Sequence, residues 1–393
     1  MGKYELLAPA GNFRTLRAAV KAGADAVYFG IRGFNMRNSA KNFGVRDLPK
    51  IRKICDESDR KPKMYLTLNT VIYDEELKRV EKIIKAVKGK VDAVICWDMA
   101  VISLCKRYGI PIHVSTQASI SNLDSAKFYK KLGAERVILA RELSLKQIRK
   151  ISKFIVVECF AHGAMCVAVS GRCFMSQFTH GLSANRGKCA HPCRRSYIIS
   201  DESGKKLKLK NSRVMSAKDL CTLPFIEVMK KAGIKSFKIE GRNRSPEYVY
   251  VVVSEYRKAL DKKLSQQEIT EGIERLKTVY NRGFSSGFYL RMPTADDFSF
   301  SENGEQTEYK EFVGRVEKYW PKAGAASVRI FTGKLSVGDE VYLIDDESHL
   351  ERLKIESLEV GGKKVKNAKK GEEVGVELPK CRRGTEIYVI QKK

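Results

Sequence analysis

The sequence predicts an α/β protein that begins with a closed barrel of parallel strands and ends with a small domain made only of strands. Three observations carry this prediction. Short apolar runs alternate with segments of helical periodicity over the first 290 residues. Five of the ten cysteines lie between positions 166 and 221, in a stretch rich in Gly, Ser, Asn and His. After position 310 the pattern changes to short strands separated by turns that contain Gly or charged pairs.

The barrel prediction depends on the rhythm of the first 290 residues. Apolar runs of strand length occur at 4–10, 25–30, 63–69, 92–98, 110–117, 136–141, 154–160 and 236–241. Segments with helical spacing follow the first six runs and the last, at 13–23, 48–58, 74–88, 99–109, 122–133, 144–152 and 245–260. Repeated strand–helix units give a parallel sheet, and eight of them predict a TIM-type (β/α)8-like barrel over residues 1–290.

Polar side chains recur where the predicted strands end. They are Asn12, Asn69, Asp98, Gln117, Arg141, Glu158, His162, Glu240 and Arg242. Because barrel enzymes place their active sites at this edge, the set predicts a polar pocket there. Arg141 and Arg242 suit carboxylate binding, and Asn69, Asp98 and Gln117 suit substrate binding.

Three of these side chains are candidates for catalysis beside the two arginines. Glu158 and Glu240 suit either acid–base catalysis or the orientation of the arginines, and the sequence does not choose between these roles. His162 lies near the end of the seventh strand and is expected to contact the metal or the substrate, or to remain outside the metal's ligand set.

A cysteine-rich insertion of about residues 162–235 separates the seventh and eighth predicted strands. Cys166, Cys173, Cys189 and Cys193 fall within 28 positions, and Cys221 follows closely. Clustered thiols in polar loops are typical of a soft metal centre. Only Cys189 and Cys193 have the close spacing of a zinc pair, so the wide spacing favours an iron–sulfur cluster and leaves zinc as the alternative. The other five cysteines, Cys55, Cys96, Cys105, Cys159 and Cys381, lie in apolar patterns typical of a core.

Two motifs in this region resemble a known family. Glu158-x-Phe160-x-x-Gly163-Ala164-Met165-Cys166 is followed by Gly171-x-Cys173-x-Met175-Ser176. Together with ELLAPAGN near the start and FKIEGRNRSPEY near position 240, they are similar to the collagenase-like peptidases of family U32. The resemblance covers at least residues 4–290.

The resemblance carries expectations about chemistry. It implies that some members are iron–sulfur proteins that hydroxylate tRNA, ribosomal RNA or a quinone precursor. It implies a 4Fe–4S cluster bound by Cys166, Cys173 and Cys189. Cys221 is the preferred fourth ligand, and Cys193 is the alternative. For the tRNA branch it implies prephenate as an auxiliary substrate, a dicarboxylate whose charge matches Arg141 and Arg242.

Charge and the C-terminal region point to RNA as the partner. The chain has 74 Lys and Arg against 46 Asp and Glu, a net charge of +28, which favours a polyanion, although lysine enrichment for heat stability is the alternative. A polar linker is predicted at 291–310. Residues 311–393 then predict a small β-barrel, which resembles the second domain of translational GTPases. Five lysines there form a basic run that suits phosphate, namely Lys363, Lys364, Lys366, Lys369 and Lys370.

The remaining alternatives concern location and activity. The sequence has no apolar run of transmembrane length and no signal-peptide pattern at its start, so we expect a cytoplasmic protein without membrane partners. A peptidase that uses Cys166 or Cys173 with His162 stays open, as does a non-catalytic scaffold that binds RNA or carries a cluster. Gly283–Gly287 matches G-x-S-x-G, but a predicted helix precedes it where a nucleophile elbow needs a strand.

Overall fold

The computed structural model describes residues 3–198, 200–206, 215–301, 304–345 and 350–393. The chain divides into two compact units, Met1–Glu305 and Gln306–Lys393. Among the described residues, no helix has the length and apolar character needed to cross a bilayer.

The first unit alternates strands and helices as the sequence predicts. Its elements in chain order are β1 (Glu5–Pro9), α1 (Phe13–Lys21), β2 (Ala26–Gly30), α2 (Leu48–Asp56), β3 (Lys63–Leu68), α3 (Leu77–Val87), β4 (Ala93–Cys96), α4 (Met99–Tyr108), β5 (Ile112–Val114), α5 (Leu123–Lys131), β6 (Ala134–Ile138), α6 (Leu145–Ile151), β7 (Val156–Gly163), α7 (Met175–His180), β8 (Asp219–Cys221), α8 (Ile226–Lys231), β9 (Ser236–Ile239), α9 (Pro246–Asp261), α10 (Gln266–Thr278) and β10 (Phe284–Ser285).

Eight of these strands close into a parallel barrel. Each of β1 to β6 pairs in parallel with the next strand in the chain, and β9 pairs in parallel with both β7 and β1. Most residues of the eight barrel strands are buried, as expected for a parallel sheet covered by helices. The predicted TIM-type barrel is therefore confirmed, including Ser236–Ile239 as its eighth strand.

The cysteine-rich insertion leaves the barrel at the end of β7. That strand runs past the barrel to Gly163, and its last residues pair antiparallel with β8, where His162 lies opposite Cys221. The chain between them carries the short helix α7, and α8 then supplies the helix of the seventh unit. Residues 199 and 207–214 of the predicted insertion lie outside the described part of the chain.

Capping side chains fix where the helices begin at the functional edge of the barrel. Asn12 caps α1, since its side chain accepts a hydrogen bond from the Thr15 amide at 2.9 Å. Asp98 caps α4 through the Ala100 amide at 3.0 Å. These caps explain two of the polar residues that follow predicted strands.

The predicted linker differs from the structure. Residues 291–301 and 304–305 belong to the first unit. The Lys218 and Ser299 amides donate to the Asp297 and Ser216 carbonyls, and the Glu305 amide donates to Asn281. The prediction missed these bonds because backbone pairing of a polar segment leaves no apolar periodicity in the sequence.

The second unit contains only strands. They are β11 (Glu308–Trp320), β12 (Ala325–Ile330), β13 (Lys334–Ser336), β14 (Glu340–Ile344), β15 (Leu350–Lys354), β16 (Leu358–Val360), β17 (Lys363–Lys364), β18 (Asn367–Lys369), β19 (Glu373–Glu377) and β20 (Glu386–Lys392).

These strands form an antiparallel sheet in the order β15-β14-β20-β11-β12-β19-β16-β17, and β13 pairs with β18 in a separate ribbon. Both contribute to one apolar core, which includes Val328, Leu335, Ala368 and Val389. The predicted small all-β domain is found. Within the described ranges, however, its hydrogen-bonded order is an open sheet plus a ribbon and not a continuous ring.

Candidate active site and cysteine cluster

A cavity of about 160 Å³ lies at the carboxyl ends of the barrel strands. All barrel strands except β1, or the residues just after them, contribute to its lining. These contributors are Tyr28, Thr67, Asn69, Ile95, Ser115, Thr116, Gln117, Ile138, Arg141, Phe160, Lys238, Glu240 and Arg242. The pocket expected at this edge therefore exists, and the insertion and the loop after β2 form the rest of its wall.

Four cysteines of the insertion line this cavity: Cys166, Cys173, Cys189 and Cys193. Burial raises the pKa of the Cys193 thiol, and the other three cysteines raise it further, while Arg194 opposes them. The structure thus groups four thiols that are spread over 28 positions of sequence.

Hydrogen bonds hold the insertion in place around these thiols. The Cys173 amide donates to Asn185 Oδ1 at 2.8 Å, and the Ala190 amide donates to Ser176 Oγ at 3.1 Å. Gly187 has φ +81°, and a Cβ there would lie 2.2 Å from the Asn35 carbonyl oxygen. Only glycine permits this close approach between the insertion and the loop that follows β2.

Cys221, the preferred fourth ligand in the sequence analysis, is not brought to this group. It is buried in β8 and does not line the cavity. Its thiol accepts a hydrogen bond from the Tyr256 hydroxyl at 3.8 Å, and burial raises its pKa to about 11. The alternative, Cys193, lines the cavity together with Cys166, Cys173 and Cys189. Cys221 was expected to lie with the other three cysteines. It does not, because β8 pairs with β7 and this pairing places Cys221 in the packed sheet.

Within the described ranges, no group of three or more His, Cys, Asp or Glu side chains is arranged to hold a single metal ion. The four cysteines all line the same cavity. Ligands of a 4Fe–4S cluster bind separate irons and stand farther apart than ligands of one tetrahedral ion. Four cysteines match the number of thiolates that a 4Fe–4S cluster requires.

Among the charged residues of the cavity wall, cations outnumber carboxylates. Arg37, Arg141, Arg194, Lys238 and Arg242 line the cavity, against the single carboxylate of Glu240. Burial lowers the pKa of Arg242 to about 10, so this guanidinium stays charged at neutral pH. Its Nη1 donates to Thr67 Oγ1 at 2.9 Å. An excess of positive charge in a partly buried site favours an anionic ligand.

Glu240 is held as an anion by these cations. Its carboxylate accepts a hydrogen bond from Arg37 Nε at 3.0 Å, and the Tyr28 hydroxyl lies 3.2 Å from its other oxygen. Burial alone would raise its pKa, but Arg37, Arg141 and Arg242 outweigh burial and hold the pKa well below the usual range. Glu240 therefore orients cations and is a poor proton donor or acceptor at neutral pH.

Arg141 lies over the Phe160 ring, with its guanidinium carbon 3.8 Å from the ring centroid. Its Nη1 donates to the Ala164 carbonyl at 2.7 Å, and its buried Nε has no hydrogen-bond partner among the described residues. A buried guanidinium N–H without a partner is costly, and this one belongs to a side chain of the cavity lining.

Glu158 lies away from the cavity, although the sequence analysis made it a catalytic candidate. It is fully buried, and it accepts hydrogen bonds from Lys238 Nζ at 2.8 Å and from Arg136 Nη1 at 3.1 Å. Arg136 also donates to Glu5 at 3.1 Å. The strand register explains this position. Glu158 pairs with Ser236 at the start of β9, well before the strand ends that line the cavity. Its role is to position Lys238.

His162 also lies outside the cavity lining, contrary to the expectation of a catalytic role. Its buried ring packs against Tyr248, Tyr256 and Phe284 at centroid distances of 5.5–6.2 Å. Burial, helped by Arg244, lowers its pKa to about 3, so the imidazole is neutral. The structure therefore assigns His162 to the packing of β7 against α9.

The three predicted substrate-binding residues divide into two groups. Asn69 and Gln117 line the cavity and are joined by a hydrogen bond of 3.3 Å from Asn69 Nδ2 to Gln117 Oε1. Asp98 does not line it. Its carboxylate accepts hydrogen bonds from the Ala100 amide at 3.0 Å and the Ile72 amide at 3.1 Å, and it shapes the chain after β4.

Sequence reasoning missed Arg37, Arg194 and Lys238. Lys238 had a usable signal, because a lysine in the middle of the buried run SFKIEG needs an anionic partner inside the barrel. Arg37 had none, since it lies in a polar loop whose path over the cavity depends on contacts with the insertion.

The literal G-x-S-x-G match at Gly283–Gly287 lacks the geometry of a nucleophile elbow. Phe284 and Ser285 form the two-residue strand β10 at the edge of the sheet, and a turn follows instead of a helix. The expectation of a chance match is consistent with this placement.

Comparisons with known proteins identify the family. The family model described as peptidase family U32 matches residues 11–299. A protein named collagenase from Porphyromonas gingivalis is 40% identical over 99% of this chain and 98% of its own length. A protein named tRNA hydroxylation protein P1 from Bacillus subtilis is 36% identical over 81% of this chain and 78% of its own.

A third relative, tRNA hydroxylation protein P from Escherichia coli, is 30% identical over 92% of each chain. The names of these relatives thus include both hydroxylation proteins and a collagenase. The family model covers most of the barrel unit, including every strand from β2 to β10. The matches extend over both the barrel and the cysteine-rich insertion, and this chain belongs to peptidase family U32.

Proposed function

We propose that this protein is an iron–sulfur enzyme that hydroxylates a nucleobase in tRNA or ribosomal RNA. The observation that carries the proposal is the placement of four cysteines on the same cavity as the cationic side chains at the strand ends. A barrel enzyme performs its chemistry at this edge, so the thiols and the polar residues face one reaction space.

Cys166, Cys173, Cys189 and Cys193 are the residues that would hold a 4Fe–4S cluster. Such a cluster, when bound, supplies one-electron chemistry at the cavity. Four thiolates in one partly buried site repel each other, and the raised pKa of Cys193 reflects both that repulsion and burial. Binding to iron removes this cost because metal ligation stabilises the thiolate form.

The cationic wall is proposed to bind a small dicarboxylate, for which the family resemblance suggests prephenate. Arg141 offers an Nε with no partner in the described part of the chain, and Arg242 remains charged beside it in the lining. A guanidinium binds a carboxylate through two parallel hydrogen bonds. Lys238, held by Glu158, adds a further positive charge at the base of the cavity.

RNA is the proposed macromolecular substrate. The net charge of +28 favours a polyanion, and relatives of 30–36% identity are named tRNA hydroxylation proteins. In the second unit, the five lysines of the basic run are all exposed, which suits contacts with phosphates: Lys363, Lys364, Lys366, Lys369 and Lys370. An RNA substrate agrees with the expected cytoplasmic location.

A peptidase is the second candidate, because the relative of 40% identity is named collagenase. Two features weigh against it. His162 is buried and neutral in the packed sheet, so it is a poor partner for a nucleophilic cysteine. All four cysteines also line one cavity, which a single catalytic nucleophile does not require.

Analysis of cellular RNA nucleosides by mass spectrometry tests the proposal. Cells that contain the protein should yield a nucleoside heavier by one oxygen atom, which disappears when the protein is removed. In parallel, the purified protein should not cleave a collagen-derived peptide. Identical nucleosides in both cell lines, together with peptide cleavage that a Cys166→Ala variant abolishes, would favour the peptidase.

A further inference from the structure

Two phenylalanines project into solvent from the insertion that carries the cysteines. The side chains of Phe174 and Phe178 are 61% and 84% exposed. They lie one helical turn apart, since the Phe178 amide donates to the Phe174 carbonyl at 3.1 Å. Their ring centroids are 6.2 Å apart with planes inclined by 36°. Large apolar side chains exposed as a pair mark an interaction surface more often than chance.

The local structure holds these rings outward. The opposite side of α7 faces the protein, because Ser176 is fully buried and its hydroxyl accepts a hydrogen bond from the Ala190 amide. Met175 and Ser176 both line the cavity, as does Cys173 just before Phe174. The exposed rings therefore stand beside the proposed reaction space.

The charged residues of the segment that carries these rings have one sign. Residues 163–198 contain no Asp or Glu and five Lys or Arg: Arg172, Arg186, Lys188, Arg194 and Arg195. Arg186 is paired with Glu76, and Arg194 binds the Ala217 carbonyl. The other three cations, Arg172, Lys188 and Arg195, are exposed. Exposed aromatic rings in a segment whose charged residues are all cations match a polyanion that carries flat, stackable groups.

We propose that Phe174 and Phe178 form a stacking platform for unpaired bases of the RNA, next to the base that enters the cavity. This inference rests on the proposed function and extends it to the state of the substrate. The rings would hold single-stranded nucleotides, such as those of a loop, while Arg172, Lys188 and Arg195 contact their phosphates. A paired helix hides the faces of its bases, so it cannot use this platform.

The test uses the full-length protein, purified without oxygen, and a single-stranded RNA of about 12 nucleotides that carries 2-aminopurine, whose fluorescence falls on stacking. Phe174→Ala and Phe178→Ala should each raise Kd about tenfold or more and reduce the quenching. Phe178→Trp should retain both, because it keeps an aromatic face. The same substitutions should change little the Kd for a duplex of the same sequence.

Phe128→Ala is the matched control, since Phe128 is 55% exposed on α5, beside Tyr129 and outside the insertion. It should leave binding and quenching unchanged. Iron content and thiolate-to-iron absorption, measured for every variant, show whether the insertion is intact. A variant that loses iron is replaced in the comparison by the corresponding Leu variant.

Several results would overturn the inference. Equal Kd and quenching for wild type and both Phe→Ala variants would show that the rings do not stack on RNA. Loss of self-association on sedimentation of the variants, with RNA binding unchanged, would assign the rings to a second copy of this chain. If wild type hydroxylates RNA and the variants do so equally, only the platform fails. If wild type neither binds nor modifies RNA, the proposed function fails with it.

Discussion

Arg37 and Glu240 form an ion pair across the mouth of the barrel, although they are 203 positions apart in sequence. Arg37 Nε donates to Glu240 Oε1 at 3.0 Å, which links the loop after β2 to the end of β9. The pair keeps Glu240 ionised and fixes one guanidinium at the cavity wall. A carboxylate that looked like an acid–base catalyst in the sequence therefore organises the cationic site.

Replacing Arg37 with Ala should weaken binding of the anionic co-substrate and destabilise the fold. Glu240 would lose a charge-assisted hydrogen bond, a loss of about 1.5–3 kcal/mol in the free energy of unfolding. Hydroxylation should show a KM for the dicarboxylate raised about tenfold or more, measured by varying its concentration. Arg32→Ala, an exposed arginine of the same loop, is the control and should change neither quantity. An unchanged KM in Arg37→Ala would remove this side chain from the binding site.

The cysteine set predicts which substitutions remove iron. Protein purified without oxygen should contain about four irons per chain and absorb broadly in the visible range through thiolate-to-iron charge transfer. Cys166→Ala, Cys173→Ala, Cys189→Ala and Cys193→Ala should each lose most of this iron and colour. Cys221→Ala should keep them, because Cys221 packs in the sheet against Tyr256. Iron loss in Cys221→Ala with retention in Cys193→Ala would reverse the assignment of the fourth ligand.

His113 predicts a pH dependence of stability that is independent of the cysteine site. Its buried ring packs on Tyr65, with the ring centroids 4.6 Å apart. Burial lowers its pKa well below the usual value. Of the charged groups around it, Arg136, Lys238 and Lys63 lower the pKa further and Glu5 opposes them.

In the unfolded chain this imidazole titrates near pH 6.5, about its ordinary value. Because the folded state holds it neutral, its contribution to stability is present above about pH 6.5 and is lost as pH falls below that value. His113→Gln should reduce the fall in unfolding free energy between about pH 7 and pH 5. Urea unfolding across this range measures the slope, and His180→Gln, at an exposed histidine, should leave it as in wild type. Identical slopes for His113→Gln and wild type would contradict the prediction.

RNA binding should depend steeply on salt, because phosphate contacts release condensed counterions. Each lost contact lowers the slope of log affinity against log salt by about 0.7–0.9. Replacing the five exposed lysines of the basic run with Gln should therefore reduce the slope by several units without loss of iron. Lys146→Gln with Lys150→Gln, two exposed lysines on α6, should leave the slope unchanged. If wild type and every variant bind RNA weakly and without dependence on salt, recognition through phosphate contacts is excluded.

The barrel was predictable because its signals are local. Apolar runs and helical spacing mark each unit, and the eighth strand was identified across an insertion of about seventy residues. The same pattern predicted that polar residues gather at the carboxyl ends of the strands. Arg141, Arg242, Glu240, Asn69 and Gln117 do line the cavity.

The errors came from contacts between distant segments. Glu158 lies two residues before Phe160, the residue of β7 that lines the cavity. Its carboxylate is instead paired with Lys238, 80 positions away in sequence. Cys221 shares a sequence neighbourhood with the other thiols, yet antiparallel pairing of β8 with β7 carries it elsewhere. Arg37 enters the site only because Gly187 of the insertion packs on its loop. None of these relations leaves a periodic signal in the sequence.

The measurement that tests RNA hydroxylation most directly is a complementation series in cells that lack this protein. Nucleosides from tRNA and ribosomal RNA are compared by mass spectrometry after supplying wild type, Cys193→Ala or Cys221→Ala. We expect wild type and Cys221→Ala to restore a nucleoside heavier by one oxygen atom, and Cys193→Ala to leave it absent. Nucleosides that are indistinguishable with and without wild-type protein would contradict the proposed function.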